Sequence, residues 1–212
     1  SVWWILHNFF SRNLIYKAYK IVPYCPSCGT PLSSHEVAQG YKDIEDPSIY
    51  VKFKATDEEN TYYLAWTTTP WTLISNVALA VHPEETYLKV EYQGQNLILA
   101  KARLQVLDEE TKIISEMQGR ELEGRCYQPL FNFVTVDKPA WYICLGDYVT
   151  MSEGTGIVHT APAFGQDDYS LALKYDLPFV QPVDSEGKFT EAVTPWAHQF
   201  VKDADKDIIR HL

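Results

Sequence analysis

"SIYVKF", residues 48–53, sets Ile49, Val51 and Phe53 against Ser48, Tyr50 and Lys52. Alternation with a period of two puts each set on its own face of an extended chain, so the stretch reads as a half-buried strand. The pattern begins near Pro47 and runs outward from there. "TYYLAW" (61–66), "VALAV" (77–81), "TYLKVEY" (86–92) and "NLILA" (96–100) follow it, with "QGQN" (93–96) as a hairpin turn. "TKIISEM" (111–117), "AWYICLG" (140–146) and "GIVHTA" (156–161) supply further short strands. Strands at this spacing predict a barrel or sandwich rather than a parallel sheet. Two helices attach to it. One follows Asp167 and Asp168, with Tyr169, Ala172 and Leu173 sharing a face. The other starts at Thr194-Pro195, where Thr caps and Pro takes the first turn. Its Ala197, Phe200, Val201, Ala204, Ile208 and Leu212 keep helical spacing. The expected class is mostly β with attached helices, α+β.

Ahead of the strands, "SVWWILHNFFSR" (1–12) reads as an apolar helix packed against a surface outside this stretch, and "KIVPYCPSCGTPL" (20–32) as a turn-rich knuckle. The first residue is Ser1 rather than Met, and a piece cut from a longer protein is the expectation. Apolar runs such as Val2–Leu6 and Val77–Val81 are five residues each, against roughly 20 needed to cross a bilayer. With no secretory signal either, the expectation is a cytoplasmic chain without membrane partners. The 212 residues carry a net charge of −10 and no block of Lys or Arg. That excludes a protein that grips a long phosphate backbone, although one end of a nucleic acid remains accessible to it.

"WTTTPWTLISN" (66–76) packs four threonines and two tryptophans into eleven positions. A buried strand does not need the hydroxyls and a solvent loop does not need the indoles; together they describe a pocket wall, part apolar and part hydrogen-bonding. The second dense stretch is "GTGIVHTAPAFGQDDY" (154–169). Gly154 and Gly156 permit close backbone approach to a ligand, or simply a turn before a strand. His159 lies on the expected strand, as a core residue or a pocket one. One of Asp167 and Asp168 suffices to cap a helix, which leaves the other for a cation. No GxSxG, HExxH, P-loop or GxGxxG is present. Chemistry here must use hydroxyls, backbone amides and a carboxylate, with water as nucleophile, which suits an activated ester better than an amide. Cys25-Pro-Ser-Cys28 has the spacing of half a zinc site. Cys126 and Cys144 sit in apolar, strand-like settings and read as core residues.

Taken together, "WTTTPWTLISN" and "GTGIVHTAPAFGQDDY" resemble the editing domain inserted into isoleucyl-tRNA synthetases, in the bacterial-like branch. The resemblance extends through "YKIVPYCPSCGTPLSSHEVAQGY" and "VALAVHPEETY". The family has proline where this chain has Ile74, which puts the local loop shape in question. The resemblance implies a barrel-like editing domain of the valyl, isoleucyl and leucyl type over 35–212. Residues 1–34 would be a helix and zinc-knuckle segment linking to the parent enzyme. It implies hydrolysis of valine misattached to isoleucine tRNA, after transfer and also before it. The partners implied are the 3′ end of the charged tRNA, valine as the rejected amino acid, and the rest of the synthetase in cis. Editing would need no cofactor; ATP would belong to the parent alone, and zinc to Cys25 and Cys28 with thiolates from beyond this stretch.

By the same resemblance Thr67, Thr68 and Thr69 position ester and water, and Asp168 reads the α-ammonium. Trp66, Thr72 and Asn76 complete the threonine side, Gly154-Thr155-Gly156 carry the terminal adenosine, and His159 limits pocket depth. Two other readings stay open: a non-catalytic module binding a tRNA end or zinc, and a sensor of free amino acid.

Overall fold

The computed structural model describes residues 2–107 and 111–212. The chain opens with helix α1 (Val2–Ser11), a short hairpin of β1 (Tyr24–Cys25) and β2 (Thr30–Pro31), and α2 (Ser34–Gln39). The serine at 33 and Glu36 close a reciprocal capping box at the start of α2, which satisfies N–H groups a six-residue helix cannot pair internally. No residue of α1 is buried; Trp3, Trp4 and Phe10 are all exposed.

The body is two sheets. The larger takes β3 (Ile49–Lys54), β4 (Thr61–Thr67), β6 (Thr86–Tyr92), β7 (Gln95–Ala100) and β8 (Lys112–Gln118) in the order β3-β4-β7-β6-β8. The smaller runs β10-β5-β9, from β5 (Ala78–Val81), β9 (Tyr142–Leu145) and β10 (Ile157–Thr160). All eight expected strands are present. Val51 and Phe53 point into the core and Tyr50 stays outside, as the alternation requires. The sheets do not close into a barrel, and they are mixed: β4 pairs parallel with β7, and β5 parallel with β9. Parallel neighbours need a long connection, and among the described residues each contains strands, loops and short 3-10 turns rather than an α-helix.

Between the sheets the chain makes one tight turn. Pro70 opens a 3-10 helix, Pro70–Ser75, that carries the chain from the end of β4 to the start of β5. Proline fits there because its missing N–H lies in a first turn, where no internal partner exists. Ile74 does not disturb the turn; it is buried against Val193, Trp196, Val201 and Ile208.

The helices differ from expectation in two places. In α3 (Gln166–Tyr175) the buried face is Leu171 and Ala172, while Leu173 is exposed. Thr194-Pro195 opens only a single 3-10 turn, Thr194–Trp196, and α4 (Val201–His211) starts separately after Phe200. His198, with φ of 63°, breaks the run between them, because a left-handed residue cannot continue a right-handed helix. Cys126, expected in the core, is exposed, whereas Cys144 is buried with its thiol pushed up to about 12 by burial. Among the described residues no helix is long and apolar enough to cross a membrane.

Candidate active site

The turn after β4 and the strand β10 meet at a cleft of about 400 Å³. Trp66, Thr67, Thr68 and Thr69 form one wall, Gly154–Gly156 and His159 the base, and Gly165–Asp168 the facing wall. The two dense stretches of sequence, some ninety positions apart, thus become the two sides of one site. β10 pairs with β5 (His159 opposite Leu79), and β5 directly follows the threonine turn.

The threonine wall is internally bonded. Thr67 Oγ1 accepts from the Thr69 amide at 3.1 Å and lies 3.2 Å from Thr69 Oγ1. Thr69 Oγ1 is 3.1 Å from Thr72 Oγ1, which donates to the Thr69 carbonyl at 2.8 Å and lies 3.0 Å from His159 Nε2. Thr67, Thr72 and His159 are buried, Thr69 is half-buried, and Thr68 stands exposed at the mouth. Burial pushes the His159 imidazole down to about 4, so the ring is neutral at pH 7. A carboxylate fixes this wall from behind: Asp205 on α4 accepts the Trp71 amide at 2.9 Å. That caps the 3-10 helix and is held 2% exposed.

The facing wall carries charge. Asp168 Oδ2 accepts from the Ala161 amide at 3.0 Å rather than capping α3, whose N-cap, Gly165, makes no side-chain bond. A Cβ at Gly165 would lie 2.8 Å from Asp168 Oδ2, so glycine is what lets the carboxylate sit there. Burial raises the Asp168 carboxyl to about 6; the Ala161 amide opposes the rise and Asp167 adds to it. No cation of the described residues offsets that burial. A half-buried carboxylate without a counter-ion is chemically able to pair with a ligand's positive charge.

The glycines of the base are needed for space as well as conformation. Gly154 and Gly156 have φ of 62° and 74°, and a Cβ at Gly156 would meet Ala100 Cβ at 2.4 Å. Gly154 packs on the Trp66 indole, 3.2 Å from Cε3 to an added Cβ. Arg103 pins the same loop through its Nε to the Gly154 carbonyl (2.9 Å) and through a guanidinium nitrogen to that of Ser152 (3.1 Å).

Two residues named from the sequence stand outside the cleft. Thr72 lies behind its wall, against His159. Asn76 is buried, accepting from Tyr127 Oη at 2.7 Å and donating to the Ala78 carbonyl at 2.9 Å, which ties the turn to β5. Sequence reasoning missed Tyr148, Glu153, Arg103 and Asp205. Only Asp205 had a signal, a carboxylate on the apolar stripe of Val201, Ala204 and Ile208.

Cys25 and Cys28 face each other across the β1–β2 turn, the Cys28 amide lowering the Cys25 thiol. Among the described residues no third His, Cys, Asp or Glu joins them. Zinc needs four ligands, and two thiols do not make such a site.

The family model described as leucyl-tRNA synthetase, editing domain, matches residues 46–205. The chain belongs to this family of aminoacyl-tRNA synthetase editing domains. An isoleucine--tRNA ligase of Clostridium acetobutylicum is 55% identical, over 100% of this chain and 20% of that protein. One of Thermoplasma volcanium is 46% identical, over 100% of this chain and 21% of that protein. The chain thus spans about a fifth of the length of these curated relatives. Its fold is similar to that in the crystal structure of GlLeuRS-CP1 (TM-score 0.60, 17% identity, 77% of this chain and 94% of that one).

Proposed function

We propose that this chain hydrolyses the ester linking valine to isoleucine tRNA, as the editing unit (35–212) of an isoleucine--tRNA ligase reached through the segment 1–34. The observation that carries the reading is the pairing of walls: Asp168, without a counter-ion, lines the same cleft as Thr67, Thr68 and Thr69. An aminoacyl ester has both matching features, an α-ammonium and a carbonyl that becomes an oxyanion when water attacks. Asp168 holds the ammonium. The threonine hydroxyls hold the water and the developing oxyanion, where prepositioned donors act most strongly. The terminal adenosine lies along Gly154–Gly156, whose lack of side chains admits it. The His159 ring sets the depth, accepting valine and refusing the extra methylene of isoleucine. The identity of the curated relatives supports the choice of isoleucine tRNA.

Incubating the chain with valine-charged isoleucine tRNA and following release of valine tests this directly. Release of valine above the no-enzyme rate, with isoleucine-charged tRNA left intact, is expected. Tight tRNA-end binding without release would favour the non-catalytic module. Binding of free valine without need of the adenosine ester would favour a sensor.

A further inference from the structure

We infer that Thr72 is a positioning residue whose hydroxyl holds His159 as the tautomer protonated on Nε2, and so fixes the ring that bounds the cleft; this rests on the editing function proposed above. The direction of each hydrogen bond follows from counting protons. A carbonyl cannot donate, so the 2.8 Å contact between Thr72 Oγ1 and the Thr69 carbonyl requires the threonine's single proton to lie there. That leaves Thr72 Oγ1 only lone pairs for its remaining neighbours. His159 Nε2, 3.0 Å away, must therefore carry a hydrogen and donate it. Thr69 Oγ1, 3.1 Å away, must donate likewise. Thr67 Oγ1, already accepting the Thr69 amide, is left to direct its own proton toward Thr69 Oγ1 or into the cleft.

The other ring nitrogen agrees. His159 Nδ1 is buried and has no hydrogen-bond partner. A bare lone pair in that position costs less than a stranded N–H, and an imidazolium would strand one there. Burial pushes the ring down to about 4, consistent with the same neutral form. Thr72 does not line the cleft, whereas its partners Thr69 and His159 do, so its hydroxyl acts on the substrate only through them.

The test reads the tautomer and the selectivity separately. Long-range nitrogen–proton NMR of the chain with labelled histidine, assigned by loss of the signal in His159→Gln, should show Nε2 protonated and Nδ1 bare at pH 7. Thr72→Val keeps the volume and removes the hydroxyl. It should give a mixed tautomer and lower the preference for valine-charged over isoleucine-charged tRNA by about fivefold or more. Thr72→Ser should restore both. A wild-type ring protonated on Nδ1 overturns the inference, as does a Thr72→Val chain whose tautomer and substrate ratio are both unchanged. If the wild type releases no valine, the proposed function fails, while the NMR reading still decides the tautomer.

Discussion

The two walls of the cleft answer the problem of buried polarity in opposite ways. On the threonine side the Thr67, Thr69 and Thr72 hydroxyls bond to one another, to the turn or to His159, and the histidine is kept neutral. On the α3 side Asp168 has one amide and no cation, and its carboxyl is raised to about 6. The three threonine hydroxyls are bonded without a ligand. The Asp168 carboxylate lacks a counter-ion, and the proposed function gives it charge recognition. In this account stiffness sets what fits, and unmet charge sets what is held.

The largest expected effect breaks the threonine wall. Replacing Thr67, Thr68 and Thr69 together by alanine should reduce valine release to the uncatalysed rate with the fold retained, read by deacylation and circular dichroism. Single substitutions should be milder, because neighbouring hydroxyls can hold the same water.

Next comes the charged wall. Asp168→Asn keeps shape and removes charge; losing a charge-assisted hydrogen bond of roughly 1.5–3 kcal/mol should slow deacylation about ten- to a hundredfold. Asp167→Asn should do far less, since that side chain is exposed. Only the ionised carboxylate attracts an ammonium, so wild-type rates should fall as pH drops through about 6. Asp168→Asn should lack that limb. The same rise in pKa means the folded chain binds more protons than the unfolded one between about 4 and 6, so Asp168 alone lowers stability as pH rises across that range.

His159 should act through selectivity. His159→Ala should open the cleft and admit isoleucine-charged tRNA while valine release continues. The change in discrimination should be about 1–3 kcal/mol, a figure drawn from synthetases that face this same pair. A histidine that served only the core would weaken both activities together. His159 also opposes Asp168 in its pH dependence. Its pKa is depressed from 6.5 to about 4, so its contribution to stability is complete above 6.5 and is lost as pH falls toward 4. Denaturant titrations of wild type and His159→Ala between those limits should diverge in slope.

A smaller effect lies behind the wall. Asp205→Ala strands the Trp71 amide and should cost about 1–3 kcal/mol of stability by denaturant unfolding.

Legibility followed the same division. Most of β3 through β10 could be read because each strand's apolar set is buried inside the chain, as Val51 and Phe53 are; β8 lies at the sheet edge with Ile113 and Ile114 exposed, and alternation alone does not show that. Thr67, Thr68, Thr69, Asp168 and His159 come together because their two stretches border paired strands. The mixed sheet order was not legible, since alternation fixes which face is buried and not which strand lies alongside. The break at His198 was hidden by side-chain spacing that ran on regardless of the backbone. Thr72 and Asn76 looked like their neighbours in sequence; only a turn of 3-10 helix decides which hydroxyl faces the cleft and which the core. At the other end, the apolar character of α1 was legible in the sequence, and none of its residues is buried by the described residues.

The most direct measurement uses two non-hydrolysable adenosine ligands, each carrying a valine-like group on the ribose through an amide. One has the α-ammonium and the other a hydroxyl in its place. Calorimetric binding to wild type at pH 7.5 should favour the ammonium ligand by about tenfold or more, and in Asp168→Asn that preference should collapse while the hydroxyl ligand binds as before. A preference that survives Asp168→Asn would contradict the assignment of charge recognition to the α3 wall.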